Sequence, residues 1–271
     1  MITATMITGV AMIEGDVGWL GLVASLALVA LALALSLRQR LGLGRDIVVA
    51  GSRAAVQLLL VGVALGVVID PDAPLVLSWL WVVFMVGFAA ATVQRRAREV
   101  PGVLGLSLLA TGAAVAVSLA VIFGLGIFPL EGRTIVPLAG MMVGNSMTGT
   151  VLAARRIVAE LSEKRPEVEA RLALGQPWPE AARPYVRSAL RTALVSQVET
   201  TKAVGLVFLP GAMTGLILAG VDPVDAVLVQ AAIMYLILGS VATTVSVIGL
   251  GLTRRLFTAD HRLVPLIRAP G

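Results

Sequence analysis

Seven apolar runs, each close to the length a helix needs to cross a bilayer, leave this chain little choice of fold. They fall at about residues 17–37, 47–69, 75–93, 103–128, 135–154, 192–209 and 224–252. A transmembrane helix takes roughly 20 apolar residues, and it must satisfy every backbone N–H and C=O internally once water is gone. Charged residues are 14% of the chain, against about 25% in a soluble domain, and they collect between the runs. The mean hydropathy of +0.96 agrees. The expected fold is all-α integral membrane with seven transmembrane helices, a multi-pass protein of the inner (plasma) membrane. Packing then rests on helix against helix and lipid rather than on a water-driven core.

The charges orient the runs. Segments following the first, third, fifth and seventh runs hold 18 of the 21 Lys and Arg. Arg133 alone lies on the other side, which carries Glu14, Asp16, Asp70, Asp72, Glu131, Asp222 and Asp225. Basic loops stay on the cytoplasmic side, so the N-terminus is expected outside and the C-terminus inside. Residues 1–16 then form an extracytoplasmic tail, 17–252 a transmembrane domain, and 253–271 a cytoplasmic tail. The small-xxx-small spacing at Gly62/Gly66, Gly140/Gly144 and Gly211/Gly215 points to close helix packing.

Several classes of function are excluded. The chain has no cysteine and one histidine, His261, so disulfides, zinc fingers, iron–sulfur clusters and thiol catalysis drop out. The sequence pI near 10.6 belongs to basic loops. No basic stripe with interleaved aromatics marks a nucleic-acid surface. The two lysines, Lys164 and Lys202, sit in no Gly-x4-Gly-Lys-Ser/Thr string, so this chain has no P-loop to cradle nucleotide phosphates. No nucleophile–base pair or metal-ligand set stands in the apolar runs, which argues against an intramembrane enzyme.

The one long hydrophilic stretch is residues 155–191. Its first part is rich in Ala, Leu, Glu and Arg, which favour helix, and it is interrupted at Pro166. Gly175 is a helix stop. Pro177-Trp178-Pro179-Glu180 turns the chain into a second helix, with Ala181, Ala182, Tyr185, Ala189 and Leu190 on its apolar side. The expectation is a cytoplasmic helix–turn–helix with Trp178 at the turn. Two roles fit it equally: insertion into a partner's groove, or an amphipathic helix lying on the membrane surface.

Glu169-Ala170, then Gly175 and the Pro177-Trp178 turn, resemble the EAA loop of ABC transporter permeases. Gly144-Asn145-Ser146-Met147-Thr148 and Pro210-Gly211-Ala212-Met213-Thr214-Gly215 extend the likeness, with Ala212 and Leu216 standing where Met and Gln are usual. From about Arg45 to Phe257 the chain is similar to the family of iron-export ABC permeases (FetB-like), which includes plant aluminium-tolerance membrane subunits. The resemblance implies a non-catalytic membrane subunit that exports a metal ion, iron-like. It implies coupling through Glu169, Ala170, Gly175, Pro177 and Trp178. It also implies a homodimer of this chain with two copies of a separate ABC ATPase, so that no cofactor is bound here and Mg-ATP sits on the partner subunit.

Polar groups inside apolar runs cost about 2.5–3.5 kcal/mol when charged, so they mark candidate pathways. Glu199 and Lys202 are three residues apart on one face, and Arg53 and Gln57 are one helical turn apart. Asn145, Ser146 and Thr148 form a polar patch beside Met141, Met142 and Met147, and Met213 and Thr214 follow a helix break. Arg53, Gln57, Asn145, Met147, Thr148, Glu199, Lys202, Met213 and Thr214 are the expected substrate path. The plainer alternative makes Glu199–Lys202 a brace, the methionines filler, and Arg53 a snorkelling side chain. A different class of protein also fits: a secondary transporter or channel using Glu199 as a proton or cation site. Nothing in the residues selects iron, and a small organic or anionic substrate would suit Arg53 and Lys202 equally well.

Overall fold

The computed structural model describes residues 19–265. The expected N-terminal tail, with Glu14 and Asp16, and the last six residues lie outside the described residues. Nine helices are described: α1 (Trp19–Arg38), α2 (Gly44–Val68), α3 (Leu75–Arg96), α4 (Val103–Gly124), α5 (Gly132–Glu163), α6 (Arg165–Ala173), α7 (Trp178–Ala203), α8 (Gly211–Leu218) and α9 (Pro223–Leu256). The described residues hold no strand, only isolated bridges at Val204–Phe208 and Phe257–Leu263. Five helices, α2, α3, α4, α5 and α9, are long and apolar enough to cross a membrane, and Val23–Arg38 is a shorter apolar helix.

One expected span has a different form. Residues 192–209 do not make a helix of their own. Polarity falls at Thr192, but the helix does not notice, because Ala, Leu and Glu on both sides, with Arg before and Gln and Lys after, all favour it. α7 therefore runs unbroken from Trp178 to Ala203. Gly205 then takes a left-handed φ of 86°, and Gly205 N–H donates to Phe208 O at 3.0 Å, so residues 204–210 are loop. Too little of α7 is apolar for it to stand among the five helices long and apolar enough to cross a membrane.

The chain divides into two compact units, one ending at Val67 and the other starting at Val68. In the first, α1 and α2 are joined by a turn with Arg40 at φ 52° and Gly42 at φ 71°. In the second, α5 packs on α3, α4, α6, α7 and α9, while α9 also touches α4, α7 and α8. Both central helices bury one stripe. On α5 it runs Ile135, Leu138, Met142, Ser146, Gly149, Ala153, Ile157 and Leu161, and on α9 it runs Ile233, Ile237, Ser240, Thr244, Ile248, Leu252 and Leu256. Spacings of three and four keep each stripe on one face.

The close approaches are not where the glycine spacing places them. In the second unit a Cβ built at Gly144, Gly211 or Gly215 would meet open space, and one at Gly140 would meet only Met85 Sδ at 3.7 Å. The tight contacts are at other single glycines, among them Gly149 on α5 against α9, Gly249 on α9 against α7, Gly251 on α9 against α4 and Gly132 on α5 against α3. A Cβ at Gly149 would stand 3.0 Å from Val241 Cγ1, and one at Gly249 would stand 2.8 Å from Leu190 Cδ1. Pair spacing reports which residues share a helix face, whereas contact depends on what the neighbouring helix brings there.

α5 has 32 residues and is about 48 Å long, well beyond a hydrocarbon core of about 30 Å. Its last turns, from Arg155 onward, carry the polar sequence. Arg155 Nε bonds Glu99 Oε1 at 2.7 Å, and Arg255 Nη1 donates to Gly102 O at 2.6 Å. The α3–α4 loop thus gathers basic groups from α5 and α9 at one end of the bundle. Replacing Gly149 by Leu must push α5 from α9, and overpacking of this kind costs about 1–3 kcal/mol. The expected outcome is a lower melting temperature in detergent for Gly149→Leu, while Gly144→Ala, with open space and better helix propensity, melts no lower than the parent.

Candidate functional site: an elbow and a cavity

Two features of the second unit could serve transport. The first is the elbow formed by α6 and α7. α6 is anchored by Val168, which is fully buried. It ends at Leu174, and Gly175 turns the chain with a left-handed φ of 86°, a conformation that costs a residue with a Cβ but not glycine. Pro177 caps α7, with Trp178 as its first residue. Leu174 projects from the tip, 84% exposed.

Side chains brace the two arms. Tyr185 on α7 donates its hydroxyl proton to Glu167 Oε2 at 2.9 Å, and Lys164 Nζ lies 3.2 Å from Glu167 Oε1. The Arg171 guanidinium sits 5.8 Å from the centre of the Tyr185 ring. The Tyr185 hydrogen bond, then that of Lys164, hold the Glu167 carboxyl below its ordinary range. Burial, then the bond to Glu167, push the Tyr185 phenol up. The hydrogen bond to Glu167 pushes the Lys164 ammonium up.

The expected coupling residues divide into two groups. Ala170 is exposed, Glu169 is about half exposed and bonded to Arg165 Nε at 2.6 Å, and Gly175 and Pro177 form the turn. Trp178 is not a free probe. Its ring stacks on Phe257 at 5.5 Å between centroids and 18° between planes, and its backbone N–H donates to His261 Nδ1 at 3.2 Å. An aromatic pair of this kind forms because both rings leave water, and Leu174 is left as the exposed apolar residue of the tip.

The second feature is a cavity of about 310 Å³ between α5, α7, α9 and the start of α8. Its polar lining is Asn145, Gln197, Thr200 and Gln230, with the thioethers of Met141 and Met234. The Asn145 amide donates to Met141 O at 2.8 Å. Gln230 is 96% buried, and its Oε1 accepts the Met213 N–H at 3.2 Å, satisfying one of the free donors at the start of α8. No charged side chain lines it.

Of the nine expected path residues, only Asn145 lines this cavity. Met213 touches it through the backbone bond to Gln230, and Thr214 Oγ1 turns back to Pro210 O at 3.2 Å. Met147 packs half-buried on the core, and Thr148 bonds Gly144 O in its own helix. Glu199 and Lys202 pair with each other at 2.9 Å, their side chains 60% and 66% exposed. Arg53 and Gln57 line a shallow recess on α2 with Val49, Ser52 and Val56. Sequence reading missed Gln197, Thr200 and Gln230. Gln230 carried a usable signal, an amide in the middle of an apolar run, and Gln197 and Thr200 lie three apart on one helix face. Among the described residues no three or more His, Asp or Glu come together as a metal-ligand group.

The sign of the Glu167 shift sets an acid dependence. A depressed carboxyl contributes stability above its ordinary pKa and loses it as pH falls through the folded value, so α6 should loosen from α7 as pH falls below the ordinary glutamate range. Hydrogen exchange of residues 165–173 should accelerate there in the parent. In Glu167→Gln it should already be faster at neutral pH and should show a smaller acid step.

A family model described as "Uncharacterised protein family (UPF0014)" matches residues 19–257. Over 232 residues the chain is 38% identical to "UPF0014 membrane protein STAR2" of Oryza sativa subsp. japonica, covering 85% of this chain and 80% of that one. It is 33% identical over 245 residues to "UPF0014 membrane protein YjkA" of Bacillus subtilis, covering 90% and 98%. It is also 33% identical over 244 residues to "Probable iron export permease protein FetB" of Escherichia coli, covering 90% and 93%. No solved structure matches it. The family resemblance drawn from the elbow and the Pro-Gly-x-Met-Thr-Gly block holds. With its long apolar helices and these relatives, the chain is a multi-pass membrane protein and belongs to the UPF0014 family.

Proposed function

We propose that this chain is the permease subunit of an ABC transporter that exports a metal ion, with Mg-ATP hydrolysed on a separate subunit. The observation that carries the reading is the elbow. It is a rigid, braced pair of helices that leaves one apolar residue, Leu174, standing free at its tip. An apolar anchor beside a charged rim is what a partner's groove recognises. The name of the Escherichia coli relative supports export of iron.

In this reading α1 to α5, α7 and α9 cross the inner (plasma) membrane, with the N-terminus outside. The end of the bundle that gathers Arg155 and Arg255 faces the cytoplasm, in keeping with the positive-inside rule. Glu169, Ala170, Gly175 and Pro177 shape the docking surface, and Trp178 fixes its base. Two copies of this chain serve two ATPase subunits. The cavity beside Asn145 and Gln230 is the substrate's resting place, offering amide oxygens and thioethers to a cation.

The test is reconstitution with the cognate ABC ATPase in liposomes, following Fe2+ flux. Leu174→Glu should weaken ATPase capture at least about fivefold, on the order of 1 kcal/mol for loss of a buried anchor. Gly175→Leu should do so through backbone strain. Proton-driven flux by this chain alone, without ATP and abolished by Glu199→Gln, would falsify the reading and leave a secondary transporter in its place.

A further inference from the structure

Beyond α9 the chain makes a compact turn over residues 257–263. Thr258 N–H donates to Arg262 O at 2.9 Å, Arg262 N–H to Thr258 Oγ1 at 3.1 Å, and His261 N–H to Thr258 O at 3.1 Å. Val264 N–H returns to Leu256 O at 2.9 Å, which fastens the turn to the last residue of α9. His261 takes a left-handed φ of 55° to close it. Phe257 and Leu263 are buried, so the turn is packed into the protein.

This turn grips the elbow at three separate points. Phe257 stacks on Trp178, and His261 Nδ1 accepts the Trp178 N–H. Arg165 Nη2 donates to Leu263 O at 3.1 Å and its Nη1 reaches Val264 O at 3.5 Å, while Nε stays on Glu169. One arm of the elbow is held through Arg165 and the other through Trp178. About 40 Å away along α9, Gln230 holds the start of α8, and Ile233, Met234 and Ile237 line the cavity.

Taking the permease reading as its basis, we propose that the turn at residues 257–263 is a clasp that yokes the elbow to α9, making α9 the rod that carries elbow motion to the cavity. Phe257 is then a positioning residue for transport. A push on the elbow reaches α9 at two places, along the face where α7, which contains one of its arms, packs on α9, and through the clasp at the end of α9. Because a helix is stiff along its axis, a shift imposed at Leu256 reaches Gln230 and the α8 backbone it holds. Spatial connection alone does not establish coupling, so the test must read coupling itself.

The parent chain has no cysteine, so Ile233→Cys provides a single thiol of this chain in the cavity wall. In liposomes holding the complex with its ATPase, thiol labelling of Ile233→Cys should change rate on adding Mg-ATP. Adding Phe257→Ala should leave ATPase capture intact while Fe2+ exported per ATP falls about tenfold and the labelling response disappears, the scale on which single contacts alter coupling. Phe257→Trp should restore both, since it keeps the stack. Should Phe257→Ala fail to fold, Phe257→Leu keeps the volume without the stack and should give the same uncoupling. Unchanged export per ATP in the folded variant, or a labelling response that persists, overturns the proposal. If the parent chain captures no ATPase, the permease reading itself falls, and the clasp proposal with it.

Discussion

The seam between α5 and α9 sets how near the other helices of the second unit can come. In a bilayer, apolar side chains gain little by leaving lipid for protein, so association depends on close van der Waals packing and on polar contacts between helices. This seam has both. Gly149 lets the Val241 and Val245 side chains reach the α5 backbone, and the Ser146 and Ser240 hydroxyls meet at 3.0 Å in full burial. The remaining helices of the unit assemble around that pair: α3 and α6 against α5, α8 against α9, and α4 and α7 against both. The stripe on α5 also continues past the apolar run to Ile157 and Leu161, so the same helix that organises the bundle supports the elbow.

The elbow depends on that continuity. A hydrophilic stretch as long as residues 155–191 would ordinarily be free to wander. Here the end of α5, the buried Val168, the Tyr185–Glu167 bond and the Trp178–Phe257 stack remove that freedom one after another. Each contact is small alone, and the exposed ion pairs among them are worth little individually. Together they hold the tip against a frame made of three helices and the turn at residues 257–263.

Much of this was legible in residues. Of the seven runs expected to span, five are helices long and apolar enough to cross a membrane, because a bilayer fixes element length. The Gly175 stop and the Pro177 start fell where the backbone puts them, since a left-handed φ and a fixed proline φ are local demands. The break expected at Pro210-Gly211 comes earlier: α7 ends at Ala203, and Gly211 instead starts α8. Where contacts are long-range, the residues were silent. The Trp178 backbone meets His261 across 83 positions, and no periodicity announces such a meeting. The single α7 helix was hidden because hydropathy changes at Thr192 while helix preference does not. Glu199 drew notice as a charge in an apolar run, yet it points away from the cavity lining, which α7 builds from its neighbours Gln197 and Thr200.

The unbroken passage of α5 from bundle to elbow turns chain length into a gauge. Between Ala154 and Glu163 nothing interrupts the winding, so one added residue would lift the elbow about 1.5 Å and swing it about 100° around the axis. Val168 would lose its berth, and Arg165 and Tyr185 would face empty space. Only an addition near a whole number of turns, such as about seven or about eleven residues, would bring the elbow round toward its mates, and then it would stand too far from the bundle to reach them. The number of residues in that stretch is therefore as fixed as the identity of any side chain in it.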